Sequence, residues 1–316
     1  MPVSLAAIEE ARRRIAGSVL RTPLVRLNGI DGPAEIHLKL ENLQPIGSFK
    51  MRGAANAIAH IPQDQLRRGV LTASAGNMAQ GVAWRARQLG IPCTVVAPDS
   101  APAVKLRAIE RLGGRVIAVP FDRWWQTFQD RTYPDVDATF IHAFDDPHVM
   151  AGNGTIGLEV LEDLPDVDAI VTPWGGGGLT CGIATAVRAK KPGCRLYAAE
   201  VATAAPLAAS LSAGSVQVVD YQPSFVDGIG SKTVFPQMLE QARRLIDGAL
   251  VAELAEVAAA LCLLAQRNRV IAEGAGACPV ACALAGKAGG GKVVCVVSGG
   301  NIDLEKLCQV LSGPVR

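Results

Sequence analysis

The chain has 316 residues, 49% of them hydrophobic and 19% charged, with a formal net charge of only +2. That length suits about two ordinary domains, and the composition is that of a globular protein able to bury a sizeable core. With no basic stripe and no run of like charges, nucleic acid is excluded as a partner. No apolar run approaches the roughly 18 residues of a membrane span, so small-molecule chemistry is the expectation.

Residues 1–17, "MPVSLAAIEEARRRIAG", predict an amphipathic helix with acids early and arginines late, which suits the helix dipole. They lack the apolar core and cleavage site of a signal peptide. Further on, strand and helix patterns alternate: strand 34–41, helix 49–61, strand 70–74, helix 77–90, strand 93–98, helix 101–114 and strand 115–120. Strand 168–173, helix 181–191, strand 195–200, helix 254–268 and strand 292–298 continue the rhythm. Strands that are apolar throughout belong to parallel sheets covered on both faces, so the fold class is α/β with open, mostly parallel twisted sheets. Two such sheets imply a cleft between them, with ligands gathering at the carboxyl ends of the strands. The eight cysteines fall mostly inside apolar runs, without a CxxC pair or a Cys/His cluster. They read as reduced core residues of a cytoplasmic protein, and no metal site is expected from them.

Three glycine-bearing loops follow predicted strands. "GGGGL" (175–179) lies between a strand and a helix, where converging backbone N–H groups and the helix dipole make a phosphate cradle; the plainer reading is a flexible tight turn. It is neither a Walker loop nor a dinucleotide fingerprint. In "SAGNMAQG" (74–81) the amides of residues 75–78 would face a docked carboxylate, although N-capping alone would account for Ser74 and Asn77. "SGGN" (298–301) closes the last strand, and is also good turn chemistry.

The remaining feature is Lys50 in "IGSFKMRG" (46–53). A lysine is ordinarily a solvated surface residue, yet this one stands at a helix start, where the dipole repels a cation and depresses its pKa. A cradle, a carboxylate loop and an activated amine together point to a phosphorylated aldehyde held as a Schiff base, namely pyridoxal 5'-phosphate.

"LENLQPIGSFKMRGAANAI", "ASAGNMAQGVA", "FDDPHVMAGNGTIGLEVLEDL", "GGGGL", "EGAGA" and "SGGN" occur in the order and spacing of the fold type II pyridoxal-phosphate enzymes. The chain resembles most closely the short threonine/serine dehydratases and the serine racemases. The resemblance runs over nearly the whole chain and implies a tryptophan synthase β-like fold. A large cofactor-binding domain would comprise residues 1–48 and 149–316, and a small substrate-side domain residues 49–148. It implies a homodimer and, with the chain ending at 316, no regulatory C-terminal domain.

By matching positions, the resemblance makes Lys50 the Schiff-base lysine and the base that removes the Cα proton, with Ser74 as its catalytic companion. Phe49 would pack on the pyridine ring, Asn77 would bond its phenolic oxygen, and Gly175, Gly176, Gly177, Gly178 and Leu179 would bind the phosphate. Ser298 would face the pyridine nitrogen, where a hydroxyl leaves that nitrogen neutral and favours prompt loss of a β-leaving group. Ser74, Ala75, Gly76, Asn77 and Met78 would hold the substrate carboxylate. Glu273 stands where the family has an acid near the site; a helix-end surface carboxylate is its competing explanation.

The reaction implied is dehydration of L-threonine, L-serine or a related 3-hydroxy amino acid to a 2-oxo acid and ammonia. Ala75 replaces the second acid/base serine of the racemases, which favours dehydration over racemisation. Met78 replaces a histidine common in dehydratases. Pro206 stands where relatives have the second acid of a cation site, leaving only a monovalent cation near Glu200 and the Ala204 carbonyl as an expectation. "FDRWWQTFQ" (121–129) and "SFVDGIGSKTVFP" (224–236), which contains Gly228, are candidate specificity segments. Adjacent helical side chains point about 100° apart, so Trp124 and Trp125 cannot both face the core. One in the cleft implies a bulkier substrate, such as phenylserine, 3-hydroxyaspartate or a compound derived from hydroxyectoine. The competing readings are a racemase, a β-replacement synthase needing a second nucleophile, and a non-catalytic binder of a phosphorylated ligand.

Overall fold

A computed structural model describes residues 3–29 and 32–313. Among the described residues, ten strands form two sheets. They are β1 (Leu24–Arg26), β2 (Ala34–Leu40), β3 (Val70–Ala73), β4 (Cys93–Pro98), β5 (Arg115–Val119), β6 (Thr139–Phe140), β7 (Ala169–Pro173), β8 (Arg195–Val201), β9 (Gly248–Ala252) and β10 (Gly291–Val297). The larger sheet is six-stranded in the order β1-β2-β10-β7-β8-β9, and the smaller is four-stranded in the order β5-β4-β3-β6. Only the β1–β2 pair is antiparallel. The class expected from the apolar strands is therefore the class observed.

Residues that are buried on both sheet faces dictate this arrangement. All of β3 and β7 is buried, as is β10 from Val293 onward, and every one of these strands is flanked by helices. Against the sequence reading, the seven predicted strands agree to within a residue or two, whereas β1, β6 and β9 are additional. The N-terminal helix Leu5–Ile15 buries Ile8, Ala11 and Ile15, and its last turn carries Arg12, Arg13 and Arg14 as expected. Its acids are not in the first turn. Glu9 and Glu10 sit mid-helix, where they pair with Lys190, Arg13 and Arg14. The predicted helix 254–268 is α-helical only over Leu254–Leu263, and finishes in a π-helical turn over Leu264–Asn268.

What positions the site is a set of parallel strands ending on one side. The lysine loop follows β2, residues 74–76 follow β3, the glycine run follows β7 and "SGGN" follows β10. The lysine and serine loops are zipped together: the Phe49 N–H donates to the Ser298 carbonyl (2.9 Å), and the Gly300 N–H donates to the Gly47 carbonyl (2.9 Å). Gly47 has φ +70°, and a Cβ there would lie 2.8 Å from Asn301 Oδ1, so glycine is required on both counts.

Beneath the lysine helix, Lys50–Ala59, lies a buried charge network that the sequence does not announce. Arg52 donates to both oxygens of Glu41 (2.8 Å each) and both of Glu159 (2.6 and 2.9 Å), and to Thr155 Oγ1 (3.0 Å). Lys39 completes it, with Nζ 2.7 Å from Glu159 Oε2. All four charged side chains are almost fully buried. Buried ions of this kind persist only when each is paired and hydrogen-bonded.

Candidate active site

The loops at the strand ends enclose a cavity of about 520 Å³, a size ordinary for a cofactor or small-ligand site. The residues named as catalytic, cofactor or substrate candidates line it: Phe49, Lys50, Ser74 to Met78, Trp124, Trp125, Gly175 to Leu179, Gly228, Glu273 and Ser298. Residues from both sheets contribute, so the site lies between them.

Lys50 is the first residue of its helix, as predicted. Its ammonium nitrogen donates to the carbonyl of Ala143 (2.6 Å) and lies 5.1 Å from the centre of the Phe49 ring. Burial pushes its pKa down to about 8, with the Glu273 carboxylate pulling the other way. The lowering was expected; its cause is desolvation rather than the helix dipole.

The second loop begins where β3 ends. Ser74 Oγ accepts the N–H of Gly76 (3.2 Å), and the following helix, Asn77–Leu89, has Gly76 at its N-cap and no side-chain cap. Capping is therefore not what places Asn77. Its Nδ2 donates to Glu273 Oε1 (2.9 Å) and Oε2 (3.2 Å), and its Oδ1 accepts from Asn301 Nδ2 (2.8 Å). The free N–H groups of an uncapped first turn suit an anion. Met78 borders the cavity but is 2% exposed and packs with Ala54, Val82 and Val149 in the core of the smaller sheet.

Glu273 is 7% exposed, at the N-cap of the helix Gly274–Leu284. The surface-carboxylate explanation is thus overturned. Burial raises its pKa to about 7, opposed chiefly by the Asn77 hydrogen bond.

From Gly176 to Gly178 the glycine run has no room for a side chain. Gly177 has φ +89°, and a Cβ there would stand 2.5 Å from Trp174 Cη2; at Gly178 it would stand 2.7 Å from the Phe144 carbonyl, and at Gly176 it would overlap the Phe144 ring. A backbone kept bare of side chains before the helix Gly178–Lys190 is what a phosphate group requires. The cradle, the buried amine and the uncapped loop fit pyridoxal phosphate, with Ser298 lining the same cavity.

Sequence reasoning missed three contributors. Asn301 orients Asn77 and also donates to the Ile46 carbonyl (2.8 Å). Ala143 supplies the carbonyl that holds Lys50. His142 is buried, with Nδ1 accepting the N–H groups of Asp145 (2.8 Å) and Phe144 (3.3 Å); burial lowers its pKa to about 4. A neutral histidine in that state fixes the turn that carries Ala143. The available signal was its place in "TFIHAF", directly after a short strand.

Both tryptophans line the cavity, although Trp124 also packs against the core of the smaller sheet. Glu200 lies elsewhere. Its Oε1 accepts the Leu207 N–H (2.9 Å) and its Oε2 the Ala208 N–H (2.8 Å), so it closes the start of the helix Pro206–Ala213 rather than facing a cation. Pro206 brings no oxygen to that spot, and the free amides after it take the carboxylate. Among the described residues no group of three or more His, Cys, Asp or Glu side chains is arranged to hold a metal ion, and no helix is long and apolar enough to cross a membrane.

The family model for pyridoxal-phosphate dependent enzymes matches residues 15–299. The chain belongs to that family, and its cofactor is pyridoxal phosphate. Among curated relatives it is 40% identical over 319 residues to an L-threonine ammonia-lyase of Thermotoga maritima, covering 98% of this chain and 78% of that protein. It is 42% identical over 310 residues to an L-threonine ammonia-lyase of Geobacter sulfurreducens, covering 96% and 77%. Among solved structures, maize serine racemase superposes with a TM-score of 0.91 at 32% identity, covering 98% of this chain and 97% of that one. The architecture is thus fold type II, the tryptophan synthase β-like arrangement.

Proposed function

We propose that the chain is an ammonia-lyase that eliminates water from L-threonine, L-serine or a related 3-hydroxy amino acid, giving a 2-oxo acid and ammonia. The observation that carries this is the convergence, in one cavity, of a buried low-pKa lysine, an uncapped anion-binding loop and a bare glycine cradle. The curated relatives named as L-threonine ammonia-lyases support it.

When bound, pyridoxal phosphate supplies the aldehyde that captures the substrate amine and the electron sink that acidifies Cα. Gly175 to Gly178 would hold the phosphate. Lys50 Nζ, whose ammonium form burial disfavours, is the base placed to take the Cα proton. Asn77, locked between Glu273 and Asn301, would present a fixed edge to the ring, and the amides of residues 75–78 would hold the substrate carboxylate. Ser298, which lines the cavity, would meet the ring nitrogen with a hydroxyl. Racemisation needs an acid on the opposite face, and Ala75 brings none.

We also assign residues 49–148, with the four-stranded sheet, to a small domain, and residues 1–48 with 149–316 to a large one. All eight cysteines are free, which suits a cytoplasmic enzyme. The assembly proposed is a homodimer, to be checked by light scattering.

The decisive test is 2-oxo acid release from threonine and serine by the holoenzyme, with Lys50→Ala as the control. Turnover retained by the variant, or a protein that stays colourless after incubation with pyridoxal phosphate, rejects the proposal. A requirement for added thiol would redirect it to a β-replacement synthase.

A further inference from the structure

We infer that the cleft selects a 3-hydroxy amino acid with a flat apolar β-substituent, an aryl-substituted serine, and that Trp125 and Phe235 are the residues that select it. This rests on the elimination proposed above and narrows its substrate.

The cavity walls divide by chemistry. One end holds the lysine and the glycine cradle, and the adjoining loop at 74–78 takes the carboxylate. The rest of the wall includes an aromatic stretch, beside Gln80, Lys105, Asp227, Ser231 and Thr233. In a chain that is only 4% aromatic, Trp124, Trp125, Phe128, Phe144 and Phe235 all line this one cavity.

Their rings form a continuous surface. Trp125 lies parallel to Phe128 (5.5 Å between centroids, 11° between planes) and tilted to Phe235 (6.3 Å, 56°), and Phe235 meets Phe144 edge-on (5.2 Å, 73°). Offset faces and edges at these separations are the geometry in which a further ring gains most. The methyl group of threonine would leave most of that surface wet.

Charge points the same way. The ion pair that lines this side of the cavity is already matched: Lys105 Nζ lies 2.7 Å from Asp227 Oδ2. Among the described residues lining that side, an anionic substituent such as that of 3-hydroxyaspartate would have to take Lys105 from Asp227, and a cationic one Asp227 from Lys105. The chemistry needs nothing new. Loss of the Cα proton and the β-hydroxyl as water, then uptake of one water on hydrolysis, takes 3-phenylserine to phenylpyruvate and ammonia without oxidant or reductant.

The test compares kcat/KM for L-threo-3-phenylserine and L-threonine on the holoenzyme and on Trp125→Ala and Phe235→Ala. The expected result is at least a tenfold preference for phenylserine, a size typical of one well-filled apolar pocket, and a tenfold or greater fall in that ratio in each variant. Trp125→Phe, which keeps a ring in place, should retain the preference and so separates selection from misfolding. Preference for threonine in the parent protein, or a ratio unmoved in both alanine variants, overturns the inference.

A second readout does not depend on turnover. L-Phenylalanine, which lacks the β-hydroxyl, is titrated against the visible absorbance of the holoenzyme, and should bind at least tenfold more tightly than L-alanine; equal affinities count against the aromatic wall. Should neither hydroxy amino acid release a 2-oxo acid, the elimination itself is rejected, while this titration still judges the wall. Should threonine alone be consumed, only the narrower inference fails.

Discussion

Asn77 donates both of its short Nδ2 hydrogen bonds to one carboxylate, that of Glu273, at 2.9 and 3.2 Å across 196 positions of sequence. The contact joins the smaller sheet's helix to the larger sheet's, and places a carboxylate close enough to Lys50 to favour its charged form. Replacing Glu273 by Gln keeps a hydrogen-bond acceptor for Asn77 but removes that charge. The lysine pKa should then fall further below 8, by less than about one unit at the effective dielectric of such sites. Titrating aldehyde capture by the apoenzyme against pH measures it, and an upward shift would contradict the assignment.

The same titration on the parent protein tests burial as the cause of the lowered value. Only the neutral amine attacks an aldehyde, and deprotonation becomes easier as the pKa falls. With a pKa of about 8, about a tenth of Lys50 is neutral at pH 7, against a few in ten thousand at the ordinary lysine value. Capture of pyridoxal phosphate should therefore rise with pH and level off above about 8. A rate still climbing toward pH 10 would mean an amine bathed in water.

Gly178→Ala probes the cradle. The added Cβ would stand 2.7 Å from the Phe144 carbonyl and 2.9 Å from its Cα, contacts with backbone that no rotamer relieves. Overpacking of this kind costs about 1–3 kcal/mol, and it pushes on the segment whose Ala143 carbonyl holds Lys50. Pyridoxal phosphate affinity, followed by absorbance, should drop at least about tenfold while the far-ultraviolet circular dichroism spectrum stays native.

Arg52→Met separates support from chemistry. The side chain is 1% exposed and does not line the cavity, so the variant strands Glu41 and Glu159 in the interior. Loss of one partner from a buried pair costs about 3–5 kcal/mol. A urea midpoint close to that of the parent protein would show that the network contributes little.

The sequence made the parallel strands legible because burial on both faces writes an unbroken apolar run, as in "AIVTP" and "KVVCVVS". The strands it hid are short or at an edge: β6 has two residues, and β9 is half-buried at the rim of the larger sheet. Glycine runs, an isolated lysine and an asparagine at a helix start are local signals, so the main parts of the site could be read from them. Partnerships are not local. Nothing near Glu273 says that Asn77 will donate hydrogen bonds to it, and Lys39, Glu41, Arg52 and Glu159 each look like one more surface charge until the fold sets them face to face. Glu159 did carry a faint hint, standing in a helix whose neighbours from Val149 to Val160 are all buried.

The rings of the helix Phe121–Asp130 meet Phe235 from the opposite side of the cleft, so the two walls share an apolar contact as well as hydrogen bonds. Parting them wets hydrocarbon, which raises the heat capacity of the open state. If ligand entry parts these walls, it exposes apolar surface in a small melting event, and a plot of ln(kcat/KM) against reciprocal temperature should bend; a straight line would show a rigid cleft.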